Sequence, residues 1–237
     1  DSQSQTKDDY LLNLASHMSD AIDNDEFEIF HQPQIDLKTL RVCGSECLLR
    51  WHHKKNGLIN PEHIIGLAED VGLINRLTLW VIKTSLTQHK EVCEQVGQNL
   101  MVSINISPKD ILSQQFIGAV IEIIEQAEVA SEKIILEINQ AASIINNQDA
   151  LAAMEQLSEI GITVSVDDFY SGYTTLANYK TLPFHELKIE GQFVEGLSGN
   201  ARRKSITETT IKMAKSLSLE VVAEGINSQW EQDTLIK

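Results

Sequence analysis

Two adjacent carboxylates, Asp167 and Asp168, follow the β-branched run Val164–Val166 and precede a turn-prone Ser171-Gly172 pair. A strand that ends in acidic residues and a polar loop is typical of parallel α/β sheets and barrels, which deliver ligands to their carboxyl edge. By itself the pair indicates little, because Asp-Asp at a strand end more often caps a helix or lies in a solvated turn. A functional interpretation needs the same pattern at other strands.

The pattern recurs at the ends of other apolar runs. The polar residues at or near the carboxyl end of a predicted strand are Glu46, Asn105, Glu137, Lys188 and Glu224. The potential ligands in the whole set are hard oxygen donors without His or Cys, which favours Mg²⁺, Mn²⁺ or Ca²⁺ over Zn²⁺. So many carboxylates in one place would repel one another and resist burial without a cation. We therefore predict a divalent metal site built from several strands.

The segment Arg41 to Trp51 predicts a strand on which Glu46, Leu48 and Arg50 share one face. A carboxylate beside a guanidinium inside a strand is unusual. It is either an internal ion pair or a metal ligand next to a phosphate clamp, and the residues alone leave both open.

Strands and helices alternate along the chain, which indicates parallel strands joined by crossover helices in one α/β barrel. The predicted strands are 27–35, 41–51, 101–107, 134–139, 162–169, one within 182–193, and 220–225. The predicted helices are 8–24, one that begins at Pro61, 74–96, 111–126, 149–160 and 202–218. Residues 52–56 are expected to form a loop with both histidines at the surface. We assign residues 1–24 to an N-terminal linker or entry helix and residues 25–237 to the barrel domain.

The amino-acid composition argues against some classes of function. The 19 basic and 34 acidic residues give a net charge of −15, which repels a nucleic-acid backbone and predicts no DNA binding by this domain. No apolar run approaches a membrane span. The three cysteines lack CxxC spacing, which is typical of reduced thiols in the cytoplasm. The N-terminus has neither Met nor a signal-peptide core, so we expect a piece of a larger protein, including the cytosolic part of a membrane-anchored one.

With these residues identified, the chain resembles the EAL domain family, the phosphodiesterases of the bacterial messenger cyclic di-GMP, from Phe27 to its last residue. The motifs that carry the resemblance are Gln32-Pro33, Glu46-Cys47-Leu48 with Leu49-Arg50-Trp51, Asn105-Ile106-Ser107, Glu137-Ile138-Asn139-Gln140, Asp167-Asp168-Phe169, Lys188-Ile189-Glu190 and Ala223-Glu224-Gly225. The resemblance implies a modified (β/α)8 TIM-type barrel in which one strand runs antiparallel. The barrel is expected to be incomplete at the C-terminus, because the family's last strand and its Gln-Gly-Tyr motif do not occur before Lys237.

The resemblance also implies roles for individual residues. The metal ligands, for two Mg²⁺ or Mn²⁺ ions, would be Glu46, Asn105, Glu137, Asp167 and Asp168. Lys188 would orient or activate the attacking water, Glu224 would contribute at the site, and Gln32, Leu48 and Arg50 would contact the dinucleotide. The implied reaction yields linear pGpG. The implied partners are cyclic di-GMP and an upstream sensory or GGDEF-type domain, and a homodimer is left open.

Several residues depart from the family pattern. They are Cys47 in place of Ala, Gln140 in place of Glu, Tyr170 in place of Gly, Glu190 in place of Asp and Asn227 in place of Glu. Gln140 and Tyr170 concern the loop after the Asp pair, so the expected activity is hydrolysis with reduced turnover. One alternative is a degenerate domain that senses cyclic di-GMP or binds a protein partner without turnover. Another is a barrel whose acidic rim binds metal only structurally.

Overall fold

A sheet of eight strands organises the computed structural model, which describes residues 2–24, 26–139, 147–166 and 184–236. The strands are β1 (Phe27–Asp36), β2 (Arg41–His53), β3 (Gly57–Ile59), β4 (Met101–Ile106), β5 (Ile134–Ile138), β6 (Thr163–Val166), β7 (Glu186–Ile189) and β8 (Glu220–Ala223). The helices are α1 (Ser2–Asp23), α2 (Pro61–Asp70), α3 (Ile74–Val96), α4 (Pro108–Ile111), α5 (Gln114–Ala127), α6 (Gln148–Glu159), α7 (Gly191–Val194), α8 (Ala201–Ser216) and α9 (Gln229–Ile236). Short 3₁₀ turns lie at Ser131–Lys133 and Leu197–Gly199. None of these helices combines the length and the apolar character needed to span a bilayer.

The order of the strands follows the order of the chain. Beginning with β1, the path is β1-β2-β4-β5-β6-β7-β8, and the short β3 pairs with β2. β1 is antiparallel to β2, whereas β2, β4, β5, β6, β7 and β8 run parallel to one another. Within the described residues no ladder joins β1 to β8. The predicted α/β fold with a mostly parallel sheet is confirmed; the antiparallel strands are β1, at the start of the sheet, and the short β3.

The sheet is strongly curved, as one contact between distant strands demonstrates. Lys188 on β7 lies 2.9 Å from Glu46 on β2, although β4, β5 and β6 separate the two strands. In a flat sheet four strand spacings would hold β2 and β7 about 19 Å apart. The concave face is therefore the inside of a barrel wall, and side chains from distant strands meet there.

The apolar core lies on the convex side, between the strands and the helices. On β2 the side chains of Cys47, Leu49 and Trp51 are buried there, as the alternation of the sequence predicts. Their neighbours Glu46 and Arg50 are only partly buried and face the concave side. Packing of one strand face against helices thus fixes the direction of the polar face.

The structure corrects two local predictions. The helix predicted over 111–126 is split, because the Ser113 side chain accepts a hydrogen bond from the Phe116 amide at 3.2 Å and caps α5. His53, expected at the surface, belongs to β2 and is only 5% exposed. Its ring packs against Trp51, two residues earlier on the same face. β3 and α9 were not predicted, and the end of the strand predicted over 162–169 lies outside the described residues.

Candidate active site

The curved sheet brings five of the predicted site residues together. Asn105, Glu137 and Lys188 each occupy the second-to-last position of β4, β5 and β7, and Glu224 directly follows β8. Asn105 and Glu137 are register partners in neighbouring strands. Because parallel strands end at the same edge, their side chains reach one region of the concave face.

Glu46 also lies at this edge, although its position within its strand differs from the predicted one. It lies near the middle of β2, not at its end. The parallel ladder between β2 and β4, however, covers only Gly44 to Cys47, after which β2 continues in its antiparallel pairing with β1. Glu46 is thus close to the end of the parallel part of β2.

Lys188 lies at the centre of three carboxylates. Its Nζ is 2.8 Å from Glu137 Oε2, 2.9 Å from Glu46 Oε2 and 2.9 Å from Glu224 Oε1. The Lys188 side chain is 1% exposed and that of Glu137 is 0% exposed, whereas that of Glu224 is 43% exposed. Among the described residues, these three carboxylates and one ammonium leave an excess of two negative charges when all are ionised, and only Glu224 is substantially exposed.

The Asn105 side chain is joined to the carboxylate cluster by a hydrogen bond to Glu46. Its Nδ2 donates to Glu46 Oε1 at 2.8 Å, while Glu46 Oε2 accepts from Lys188. This bond assigns the donor end of the amide to Glu46 and leaves the amide oxygen as the group that can bind a cation.

Electrostatics in the cluster favour a further positive charge. Burial raises the pKa of Glu137 to about 8; Lys188 opposes this rise and Glu46 adds to it. Glu137 Oε1 is buried and has no hydrogen-bond partner among the described residues. An orphaned buried carboxylate oxygen is costly, and a cation would satisfy it.

Glu186, which the sequence analysis did not single out, adds a carboxylate below the cluster. It precedes Lys188 by two residues on the same face of β7, and it is 6% exposed. Burial raises its pKa. The alternation of β7 places a charged residue at both inward positions, which was the signal available in the sequence.

The chemistry of these donors fits a hard divalent cation, with oxygen ligands, excess negative charge and one unsatisfied oxygen. Within the described residues, however, no three His, Cys, Asp or Glu side chains are arranged to hold a metal ion by themselves. The predicted ligand set also contains Asp167 and Asp168, which lie outside the described residues. Their part in the site stays a prediction.

The predicted nucleotide contacts lie beside the cluster. Gln32 on β1 is the register partner of Glu46, and Leu48 and Arg50 follow on the same face of β2. Gln32, Leu48 and Arg50 line one open cavity of about 2300 Å³, together with Glu46, Asn105 and Glu224. Arg50 Nη1 donates to the Leu49 carbonyl at 2.9 Å. In the described part of the chain no carboxylate lies within ion-pair distance of Arg50, so its charge remains available to a ligand phosphate.

A buried network supports the turn after Asn105. Asp110 Oδ1 accepts from Asn75 at 2.6 Å, and Asp110 Oδ2 accepts from Thr78 at 2.8 Å and from the Ser107 amide at 2.9 Å. Ser107 and Asp110 form a capping box at the start of α4. The sequence analysis missed Asp110, although an acidic residue three positions after a serine before a helix is a recognisable capping signal.

Of the five departures from the family pattern, Cys47, Glu190 and Asn227 lie in the described part of the chain. Cys47 is buried on the convex face, where burial raises the pKa of its thiol to about 12. Glu190 Oε1 is buried and has no hydrogen-bond partner in the described ranges, and the backbone N–H of Asn227 donates to Glu231 Oε2 at 2.8 Å. Gln140 and Tyr170 lie outside the described residues.

The family model and the curated relatives that match this chain point to the same family. A family model for the EAL domain matches residues 15–237. The chain is 31% identical over 217 residues to the cyclic di-GMP phosphodiesterase NbdA of Pseudomonas aeruginosa, covering 92% of this chain and 28% of that protein. It is also 27% identical to the bifunctional diguanylate cyclase/cyclic di-GMP phosphodiesterase MucR of the same organism, covering 95% of this chain and 33% of that protein.

Solved structures agree with these relatives. The EAL enzyme Bd1971, in its cAMP- and cyclic di-GMP-bound form, superposes with a TM-score of 0.88 at 28% identity, covering 95% of this chain and 62% of that one. The PaMucR phosphodiesterase in complex with c-di-GMP superposes with a TM-score of 0.86 at 27% identity, covering 96% and 91% of the two chains. The chain spans about a third of the length of the curated relatives it matches.

Proposed function

Because the chain belongs to the EAL domain family, we propose that it hydrolyses cyclic di-GMP to linear pGpG in a metal-dependent reaction with reduced turnover. The cluster of Lys188 with Glu46, Glu137 and Glu224 carries this proposal. It places carboxylate oxygens and a buried ammonium beside an open cavity in which Arg50 has no carboxylate partner among the described residues. The phosphodiesterase names of the relatives NbdA and MucR support the same reaction class.

The residues that would hold the metal are Glu46, Asn105, Glu137, Asp167 and Asp168, with Glu224 at the open side of the site. A bound pair of divalent ions, Mg²⁺ or Mn²⁺, would supply Lewis acidity toward the phosphate and lower the pKa of a bound water. Cation binding requires Glu137 in its ionised form, against the burial that raises its pKa.

Side chains of this protein bind and orient the dinucleotide. Arg50 would donate two N–H groups to a phosphate, since a guanidinium matches phosphate geometry in a bidentate manner. Gln32 and Leu48 would contact the nucleotide from the neighbouring positions of β1 and β2. In the reaction, water adds to phosphorus, one P–O bond of the ring breaks, and the released ribose oxygen takes a proton.

Lys188 would hold the attacking water in position. Its ammonium has three donors, and in the structure carboxylates of three strands surround it. A donor of Lys188 that turns from one of these carboxylates to a water would hold that water beside Glu46, Glu137 and Glu224. This explains why a buried lysine, costly by itself, is useful at the centre of an acidic site.

The proposal also includes an additional domain in the full-length protein. The bifunctional name of MucR supports an upstream GGDEF-type or sensory domain joined through the N-terminal helix. The division into residues 1–24 and 25–237, the homodimer and the cytoplasmic location stay predictions.

Conversion of cyclic di-GMP to pGpG, followed by chromatography with Mn²⁺ or Mg²⁺ and with a chelator, tests the function. The variants Glu46→Gln and Asp167→Asn each remove a charged ligand and should abolish tight metal binding in calorimetry. A matched control is Glu122→Gln, which changes an exposed carboxylate on α5. Metal-dependent pGpG formation that is lost in both site variants and kept in the control supports the proposal.

The same measurements separate an enzyme from a receptor. Binding of cyclic di-GMP without pGpG under any metal condition would replace the phosphodiesterase with a cyclic di-GMP receptor. Unchanged metal affinity in both site variants would remove the metal-dependent mechanism.

A further inference from the structure

We propose that Phe30 is a positioning residue that holds Arg50 in the orientation needed to bind the phosphate of the dinucleotide. The inference rests on the proposed function, since Arg50 matters only if the cavity receives a phosphodiester. Neither the predicted site residues nor the family motifs found in the sequence include Phe30.

The first observation is the contact between Phe30 and Arg50. The guanidinium carbon of Arg50 lies 5.3 Å from the centroid of the Phe30 ring, within cation–π distance. Phe30 precedes Gln32 by two residues on β1, so the ring shares the inward face with a predicted nucleotide contact. Its register partner on β2 is Leu48, another predicted contact.

The second observation concerns the charges around Arg50. Glu28 is its register partner on β1, yet the Glu28 carboxylate pairs with His52 Nε2 at 2.9 Å. An ion pair with Glu28 would neutralise Arg50 and compete with a phosphate. The aromatic ring instead attracts the cation through its face, so the Arg50 N–H groups that do not bind Leu49 remain available to a phosphate.

The third observation is that one N–H group of Arg50 is already fixed. Arg50 Nη1 donates to the Leu49 carbonyl at 2.9 Å. The ring and the carbonyl together restrict a side chain that would otherwise lose much rotamer freedom when it binds a ligand. Phe30 is 46% exposed; single exposed apolar residues are common, so the argument depends on the stacking and not on the exposure.

The experiment measures cyclic di-GMP affinity by calorimetry in the intact chain, for the parent and for Phe30→Leu and Phe30→Tyr. Leucine keeps apolar bulk but lacks the ring, whereas tyrosine keeps the ring. We expect Phe30→Leu to raise the Kd about three- to tenfold, as for the loss of a cation–π contact, and Phe30→Tyr to change it less than about twofold. Val42→Ala removes a comparably exposed apolar side chain, 43% exposed on β2, and should leave the Kd unchanged.

A double-mutant cycle with Arg50→Ala shows whether Phe30 acts through Arg50. In the Arg50→Ala background, Phe30→Leu should have almost no further effect, and Mn²⁺ affinity should be the same in all variants. The NMR signals of the Arg50 side chain should lose their ring-current shift in Phe30→Leu and keep it in Phe30→Tyr. These readouts would not follow from a merely structural change on β1.

The outcomes separate this inference from the proposed function. If the parent binds cyclic di-GMP and Phe30→Leu binds it equally well, the inference is wrong and the function stands. An equal loss in the presence and absence of Arg50 would mean that the ring contacts the nucleotide independently, which also overturns the inference. A parent that binds no cyclic di-GMP would overturn both.

Discussion

Lys188 donates a 2.8 Å hydrogen bond to Glu137, and neither side chain is more than 1% exposed to solvent. Each member of a buried ion pair depends on the other, because an unpaired charge in that environment costs several kcal/mol. Lys188 also contacts Glu46 and Glu224, so it is the internal counter-ion of the acidic site.

At about pH 9, where Glu137 is ionised, replacement of Lys188 with Met should therefore destabilise the metal-free protein by about 3–5 kcal/mol, since it leaves buried carboxylates without a counter-ion. Mn²⁺ should restore much of this loss, because a divalent cation supplies the missing charge and stabilises the folded state by binding to it. Thermal and urea unfolding with a chelator and with Mn²⁺ measure both effects.

The matched control is Lys90→Met, which removes the partner of Glu128 in a solvent-exposed ion pair and should leave the stability almost unchanged. A Lys188→Met protein as stable as the parent with the chelator would contradict the counter-ion role. Equal stabilisation of parent and variant by Mn²⁺ would contradict the link to the metal site.

The raised pKa of Glu137 predicts how the stability of the metal-free protein depends on pH. The pKa is about 8 in the folded protein against an ordinary 4.5, so the folded state binds a proton that the unfolded chain has released. The corresponding stabilisation is complete below about pH 4.5 and is lost as the pH rises through 8. Between pH 6 and pH 8.5 the free energy of unfolding should fall, and Glu137→Gln should flatten this slope. A parent whose stability is constant over this range would show that Glu137 is ionised in the folded, metal-free protein.

Asp110 should stabilise the turn that carries Asn105. Asp110→Asn replaces one acceptor oxygen with an NH₂ group that would face the donors of Ser107, Thr78 or Asn75, at a cost of about 1–3 kcal/mol. Because Asn105 lies two residues before Ser107, Mn²⁺ affinity should also fall. Unfolding and calorimetry on Asp110→Asn, with the exposed Asp70→Asn as control, test this. Lower stability with full metal affinity would limit Asp110 to a structural role.

The sequence predicted the positions of the site residues better than their contacts. Asn105, Glu137 and Lys188 interrupt apolar strands, and alternation of strands and helices implies that parallel strands end together, so their convergence was predictable. The central position of Lys188 could not be predicted, because it depends on how strongly the sheet curves between β2 and β7, which lie four strand spacings apart. His53 was placed in a loop although it shares the face of Trp51, since its polarity outweighed the period of two.

The last prediction concerns Gln140 and Tyr170, which lie outside the described residues. Gln140 can exchange hydrogen bonds but lacks the charge with which the family's Glu would bind backbone N–H groups of the loop after Asp168. Tyr170 lacks the positive-φ freedom of the family's Gly. A poorly held Asp168 would weaken one metal ion, and such supporting contacts can change metal affinity or activity by about 10–100-fold.

Gln140→Glu combined with Tyr170→Gly should therefore raise the rate of pGpG formation several-fold or more. Cyclic di-GMP affinity should change little, because Arg50, Gln32 and Leu48 are unaltered. Turnover and binding are measured on parent and double variant at saturating Mn²⁺, with Cys47→Ala as a control, since that departure lies on the convex face away from the cluster. A parent as fast as the double variant would show that the chain tolerates both departures, and the reduced turnover in our proposal would then be wrong.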